Sequence, residues 1–482
     1  MAWIRRPQRR IPGDKLHGES MVLNVRGSRA RPSDSIHDDS PESHSRVTRA
    51  RVSALRTNVR TSLGRARPLM TAGVLGQAVA LLAVPFLTRI YSEGAFGSLA
   101  LLSSALAILT PISTLRFEMA VPIAVDDREA VDVASLAAGA LCVVALLALA
   151  VVVAGGWAFT SFAHRQLLLI GGSLAVNMLL SGLYLVGITW LIRREAFRRI
   201  AVVNATQAVA QVIAYLLVGL ALPNRVGMFV GLTIGNLVGL AALGYALRTA
   251  VDPPTIRTTG ERMMAAARRF RRFAWVATPG TLLNTVAVEL PFLILARVLT
   301  TASYGVLSVA RRITQAPVSL LAQAVGKVFH GSTARTAREQ TGRARSELKV
   351  MIAMMTSVAL GALVLYIFVV PPLLTLVFDK KWHQTGRFVK YLSFVFLAQG
   401  VASATTAVVD VAERQELQLL RDAIALISTG LVGVVVLRSS VGAIGAITAF
   451  VVIGVANAGF ALVISYVAAR HVDRRRPILK EV

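Results

Sequence analysis

Ile352-Ala-Met-Met-Thr-Ser-Val-Ala-Leu-Gly-Ala-Leu-Val-Leu-Tyr-Ile-Phe-Val-Val370 contains no charged side chain. At roughly 1.5 Å rise per residue a helix of this length matches the roughly 30 Å hydrocarbon core of a bilayer. A soluble core helix seldom needs so long an uncharged run. Ala138 to Ala154 reads the same way. In hydrocarbon an unpaired peptide group costs several kcal/mol, so a spanning segment must bond its own backbone, and no alternation of the outer-membrane barrel type is present. Each run is therefore a helix.

Working outward, such runs recur from Leu69 onward as about twelve candidate spans. They lie near 69–90, 96–116, 131–157, 167–192, 200–222, 227–247, 273–298, 304–329, 350–378, 387–410, 417–437 and 441–469. Composition agrees: 482 residues, 55% hydrophobic and only 16% charged, with mean hydropathy +0.63. The expected fold class is an all-α polytopic membrane protein.

The net charge of +27 invites a nucleic-acid reading, but nucleic-acid domains gather basic residues on a folded surface. Here they lie in a tail and in loops, so no nucleic-acid partner is expected. Residues 1–67 are rich in arginine, with Ser, Pro and Asp between, and cannot bury enough apolar surface to fold. Three readings stand for this segment: a basic disordered cytosolic arm touching anionic headgroups, a regulatory tail, or a start codon placed too early, with Met21 or Met70 as later starts. The single cysteine, Cys142, sits mid-span and reads as a small core residue.

Lys and Arg cluster in alternate loops. One set holds Arg193, Arg194, Arg198 and Arg199, the stretch from Arg248 to Arg272, Lys327 to Lys349, and Arg470 to Lys480. The opposite set is sparse except for Lys380, Lys381, Arg387 and Lys390. The rich set is cytoplasmic by the positive-inside rule, which puts both termini inside a cytoplasmic (inner) membrane. Trp157, Trp190, Trp275 and Trp382 fall near span ends and are expected to be interfacial anchors.

A weak repeat runs through the chain. Arg89, Phe96, Gly97 and Leu99 recur at one constant offset as Arg297, Tyr304, Gly305 and Leu307. An even number of spans separates the copies, so the halves share one orientation.

Ionisable groups inside spans carry the most information, because a charge at the bilayer centre costs at least about 2.5–3.5 kcal/mol. Arg311 and Arg312 lie roughly 12 Å into span eight, and Glu289 lies at similar depth in span seven. Two arginines share one glutamate, and adjacent residues point about 100° apart on a helix. Glu289 therefore forms a structural ion pair or has a coupling role, and Arg312 is the preferred anion contact, with Arg311, Arg89 and Arg116 as further candidates. Arg89 and Arg297 can also snorkel at their span ends, and Arg116 can pair with Glu118. Pro85, Pro111, Pro279, Pro291 and Pro317 interrupt spans one, two, seven and eight, where kinks are expected. No GxxxxGK[ST], HExxH or CxxC motif occurs, and His164, His330 and His383 are far apart. Catalytic residues, metal sites and cofactors are not expected.

Gly76-Gln77, then Pro85-Phe-Leu-Thr-Arg89-Ile-Tyr91, Phe96-Gly97 and Arg116-Phe-Glu118-Met-Ala120 resemble the opening of bacterial polysaccharide-transporter flippases. A second block is similar to the same family: Leu283-Asn284, Leu290-Pro291, Tyr304-Gly305, Arg312, Pro317 and Gly326-Lys-Val-Phe329. So is Phe378-Asp-Lys-Lys-Trp382, with Asp where the family usually has Gly. The resemblance covers about 69–470. It implies a MATE-like fold with parallel repeats: a six-helix lobe over 68–250, a cytoplasmic linker over 251–272, a second six-helix lobe over 273–470, and a cytoplasmic tail over 471–482. Between the lobes it implies a cationic cavity that opens alternately to the two sides. It further implies a polyprenyl-pyrophosphate-linked oligosaccharide as substrate, membrane lipids as surroundings, and a polymerase and glycosyltransferases of O-antigen, capsule or exopolysaccharide synthesis as partners. Guanidinium forks suit pyrophosphate oxygens. A drug or cation exporter or a peptidoglycan-precursor flippase of the same superfamily, a membrane glycan polymerase or ligase, and an assembly scaffold are the alternatives.

Overall fold

A computed structural model of the chain describes residues 73–474, apart from 74, 160–163, 251–257, 340–341, 413 and 440. The expected basic tail, most of the expected carboxy-terminal tail and part of the expected linker lie outside the described residues. Among the described residues every regular element is helical. The described part of α1 is Leu75–Ile90. It is followed by α2 (Glu93–Ser113), a 3-10 turn (Phe117–Ile123), α3 (Asp127–Phe159), α4 (His164–Arg193), α5 (Phe197–Ala221) and α6 (Arg225–Ala250). The second half has α7 (Gly260–Arg269), α8 (Thr278–Val298), α9 (Thr301–Glu339), α10 (Ala344–Val364), α11 (Val370–Val377), α12 (Thr385–Thr405), α13 (Ala407–Val411), α14 (Gln415–Arg438) and α15 (Ala443–Arg474). π turns over Phe273–Ala277 and Leu365–Val369 lead into α8 and α11, and a 3-10 turn over Lys380–Trp382 precedes α12.

Ten helical runs are long and apolar enough to cross a membrane, α10 counted with α11 and α12 with α13. The remaining expected spans are α1, apolar but shorter in its described part, and α9, long at 39 residues but interrupted by charged side chains. Every span expected from the sequence thus has its helix. Leu146, Val151, Phe368 and Leu376 are more than half exposed. Lipid tails are as apolar as leucine, so these faces suit a bilayer and would be a liability in water.

Three second-half prolines are accommodated locally. Pro279 and Pro371 each follow a π turn, a common site for bends. Pro317 deprives the Ile313 carbonyl of its helical donor, and the Tyr366 hydroxyl donates to that oxygen at 3.3 Å.

Helices α2 to α6 pack on one another, as do α8 to α15, and α2 joins the two groups by lying against α8 and α9. Within the first lobe, Gly231, Gly235 and Gly239 form one stripe of α6. A Cβ at any of them would run into Tyr215, Gln211 or Gln207 of α5. Such four-residue spacing lets two backbones approach where no hydrophobic drive separates helix from lipid. Beside this contact the Asn236 amide donates to Asn177 at 2.9 Å and Gln207 donates to Asn236 at 3.0 Å. The helix α7, within the expected linker, packs on α3 and buries Ala266 and Phe270 beside Phe117 and Trp190.

The two ends of the molecule differ. At the end holding the α1–α2 and α8–α9 connections, both lobes share one apolar core, including Phe96, Leu99, Leu295, Leu307 and Trp382. At the opposite end the cores are separate: Phe329, Leu348 and Ile464 belong to one, Phe117, Val133 and Trp190 to another.

Several expectations need correction. Trp382 is 1% exposed and Trp190 is also buried, so of the described tryptophan side chains only Trp275, at 79%, stands out as an interfacial anchor would. The Trp157 side chain lies outside the described ones. Proximity to a span end does not distinguish a ring facing lipid from one facing a neighbouring helix. Cys142, expected in the core, is exposed on α3.

Candidate functional site

The repeated residues of the sequence meet one another. Gly97 near the start of α2 faces the Thr301 carbonyl, and its repeat partner Gly305 near the start of α9 faces the Glu93 carbonyl. At both positions a Cβ would overlap the opposing backbone. The repeat therefore encodes a backbone-to-backbone contact between lobes. Trp382 completes the closure from the turn before α12. Its indole N–H donates to the Thr88 carbonyl at 3.0 Å, and its ring meets Phe96 edge-on with centroids 5.1 Å apart. The Thr88 oxygen is available because α1 ends at Ile90. Tyr91, in the α1–α2 connection, is pushed up to about 12 by burial. It stays protonated and donates to the Tyr215 carbonyl at 2.8 Å.

Directly beneath this seal lies a cavity of about 430 Å³ between the lobes. Phe96 and Tyr304 roof it, Gln77, Ser103 and Ser104 line the α1–α2 wall, and Glu289, Arg311 and Arg312 line the α8–α9 wall. Two arginines and one glutamate leave the cavity with a surplus of one positive charge.

The three charged groups are arranged unequally. Arg311 donates to both Glu289 oxygens, at 2.6 and 2.9 Å, and to the Gln315 carbonyl oxygen at 2.9 Å. Its guanidinium also stacks 3.8 Å over the Phe292 ring, which itself stacks parallel on Phe396. Fork, acid and ring fix Arg311 in one orientation. Arg312 lines the same cavity and has no hydrogen-bond or ion-pair partner among the described residues. It shares that cavity with Gln77, Ser103 and Ser104 of the other lobe. A cation left unpaired at this depth costs several kcal/mol unless water or an anion meets it.

Arg89 and Arg116 are placed elsewhere. Arg89 is exposed at the end of α1, where a long side chain can reach headgroups. Arg116, in left-handed backbone geometry, pairs with the buried Glu118 at 3.3 Å. Glu118 also accepts the Thr114 hydroxyl. Neither arginine lines the cavity between the lobes.

Sequence reasoning missed the Trp382 closure and a second polar cluster inside the carboxy-terminal lobe, where Asn284 donates to Asp422 at 3.2 Å and Arg421 pairs with the same carboxylate at 2.8 Å. The signal was available: polar residues in apolar spans need a partner or water.

A family model described as "Polysaccharide biosynthesis protein" matches residues 86–387, well over half of the chain. Comparison with curated proteins gives no match. Among solved structures, the fold is similar to the lipid II flippase MurJ in an inward closed conformation, with a TM-score of 0.62 at 12% identity, covering 85% of this chain and 90% of that one. It is also similar to an inward-facing multidrug resistance MATE family transporter of the MOP superfamily, with a TM-score of 0.58 at 13% identity, covering 85% and 94%. An outward-facing transporter of that description gives 0.54 at 14% identity, covering 86% and 97%. At these identities the likeness is one of fold, and the fold is MATE-like. Matched over well over half of its length by this one family model, the chain belongs to the polysaccharide biosynthesis protein family.

Proposed function

We propose that this chain translocates a polyprenyl-pyrophosphate-linked oligosaccharide across the cytoplasmic membrane by alternating access and performs no covalent chemistry. Carrying this reading is Arg312, an unpaired guanidinium facing the cavity between two lobes. Its neighbour Arg311 is already neutralised by Glu289. In this scheme the substrate diphosphate meets Arg312, the glycan occupies the cavity, and the polyprenyl tail stays in lipid beside the protein. Glu289 fixes Arg311 and is the candidate coupling acid.

The shared apolar core, with Gly97 against Gly305 and Trp382 against Thr88, is the outer seal, closed here. The separate cores at the opposite end are the cytoplasmic side, where both termini lie and where the basic loops face anionic headgroups. Transport would then proceed by parting the seal as the inner ends approach. The glycan is destined for O-antigen, capsule or exopolysaccharide, and a polymerase and glycosyltransferases of the same pathway are the expected partners. A cation exporter is disfavoured by the positive surplus of the cavity.

The experiment is Arg312→Ala in proteoliposomes. Transport of labelled lipid-linked oligosaccharide should fall by about tenfold to thousandfold, the scale on which losing one partner of a charged pair acts. Thermal stability should hold. Unchanged transport removes Arg312 from the substrate site.

A further inference from the structure

A second cavity, of about 360 Å³, lies inside the carboxy-terminal lobe between α8, α9, α12, α14 and α15. Phe292, Arg311 and Gln315 line this cavity as well as the one between the lobes. The clamped Arg311 therefore stands between the two.

The lining is graded along the membrane normal. Asn284, Arg421 and Asp422, early in α8 and α14, and Ser403 and Thr406, at the end of α12, occupy the end away from the seal. Leu295, Leu392, Ile447 and Phe450 occupy the end toward it. Between these zones several polar groups face the cavity with capacity unspent. Gln399 makes no hydrogen bond within the described chain, and neither does Thr429, which is 3% exposed. Asn457 accepts the Ser428 hydroxyl at 3.1 Å and keeps its amide hydrogens free. Thr429 is buried, Asn457 half-buried and Gln399 exposed, and together they offer this cavity hydrogen-bonding capacity that water or a ligand rich in hydroxyl groups can meet. The stacked Phe292–Phe396 pair adds an apolar aromatic wall.

Carboxamides, hydroxyls and one carboxylate–guanidinium pair beside aromatic rings are chemistry suited to the alternating C–H and O–H surface of a sugar ring. We infer that the cavity inside the carboxy-terminal lobe is a saccharide subsite, with Gln399, Thr429 and Asn457 as its specificity-determining contacts. This rests on the flippase reading: a diphosphate at Arg312 places its first sugars beside Arg311 and Phe292, at the entrance to this cavity. The volume falls within the roughly 300–1,000 Å³ of small-ligand pockets. It accommodates part of an oligosaccharide, with the remainder in the cavity between the lobes.

The test uses the full chain in detergent and two kinds of synthetic probe. One is bare polyprenyl diphosphate; the other is the same lipid carrying a hexose, an N-acetylhexosamine or a deoxyhexose. The wild-type chain should bind at least one sugar-bearing lipid about tenfold tighter than the bare lipid, a ratio equal to about 1.4 kcal/mol. In Gln399→Leu/Asn457→Leu that preference should vanish while bare-lipid binding, which also reports folding, stays unchanged. If the double variant does not fold, the near-isosteric Thr429→Val carries the same expectation. The subsite is overturned if no sugar-bearing probe outbinds the bare lipid, or if a folded variant keeps the preference. Failure of the wild-type chain to bind bare lipid is a different result and counts against the diphosphate site at Arg312.

Discussion

Arg311 and Arg312 are adjacent in sequence and have unlike surroundings. Arg311 is held by both oxygens of Glu289, by Gln315 and by the Phe292 ring, whereas Arg312, turned about 100° around the helix, has none of these. Removing one partner of a buried pair costs about 3–5 kcal/mol, because the other charge is stranded. Glu289→Ala should therefore lower the melting temperature and the yield of folded protein. The exchange Glu289→Arg/Arg311→Glu separates structure from coupling. If the pair only pins α8 to α9, folded yield and transport recover together. Recovery of yield without transport, measured in the same proteoliposomes, assigns Glu289 a part in the cycle. That two arginines sat inside a span was plain in the sequence. Which of them Glu289 neutralises depended on the rotation of α9 relative to α8, which spacing alone does not fix.

Among the elements, α2 and α9 begin side by side at the sealed end, and the turn before α12 delivers Trp382 across them. Opening that end requires the Trp382–Thr88 bond to break and the two glycine contacts to part. Trp382→Ala removes a hydrogen bond worth about 1 kcal/mol and a buried ring worth more. It should shift the population toward the open state. A cysteine placed at Ser308, with Cys142 replaced by serine, reads this out: its labelling by a membrane-impermeant thiol reagent from outside should rise severalfold in the variant. Equal labelling would mean that Trp382 does not hold the seal. Gly97→Val acts on the same end by excluding the Thr301 carbonyl and should favour the open state. The weak internal repeat had flagged Gly97 and Gly305 as corresponding positions. That they touch follows only when the two halves are packed, which is why a Trp read as a lipid anchor proved to be an interlobe contact.

At the scale of the whole molecule, span positions were legible because bilayer thickness fixes helix length and lipid forbids unbonded backbone. The charged α9 was legible as well, since the repeat made it the counterpart of α2. The cavities were not, because they arise from gaps between helices that no run of residues records. The proposed membrane sidedness rests on loops such as the one holding Arg193 and Arg194. Both pair with Asp127 across the end of α3, at 3.1 and 2.7 Å. A fluorescent protein fused after Val482 should fold and fluoresce, as it does only in the cytoplasm, and a periplasmic phosphatase at the same site should be inactive. The reverse pattern would invert the proposed orientation. The most direct measurement is translocation itself. Purified chain in liposomes should move a labelled polyprenyl-pyrophosphate oligosaccharide between leaflets faster than protein-free liposomes, and Arg312→Ala should return the rate to that background. Equal rates with and without the wild-type protein, using lipid-linked oligosaccharide extracted from its own cells, would rule out the proposed flippase activity.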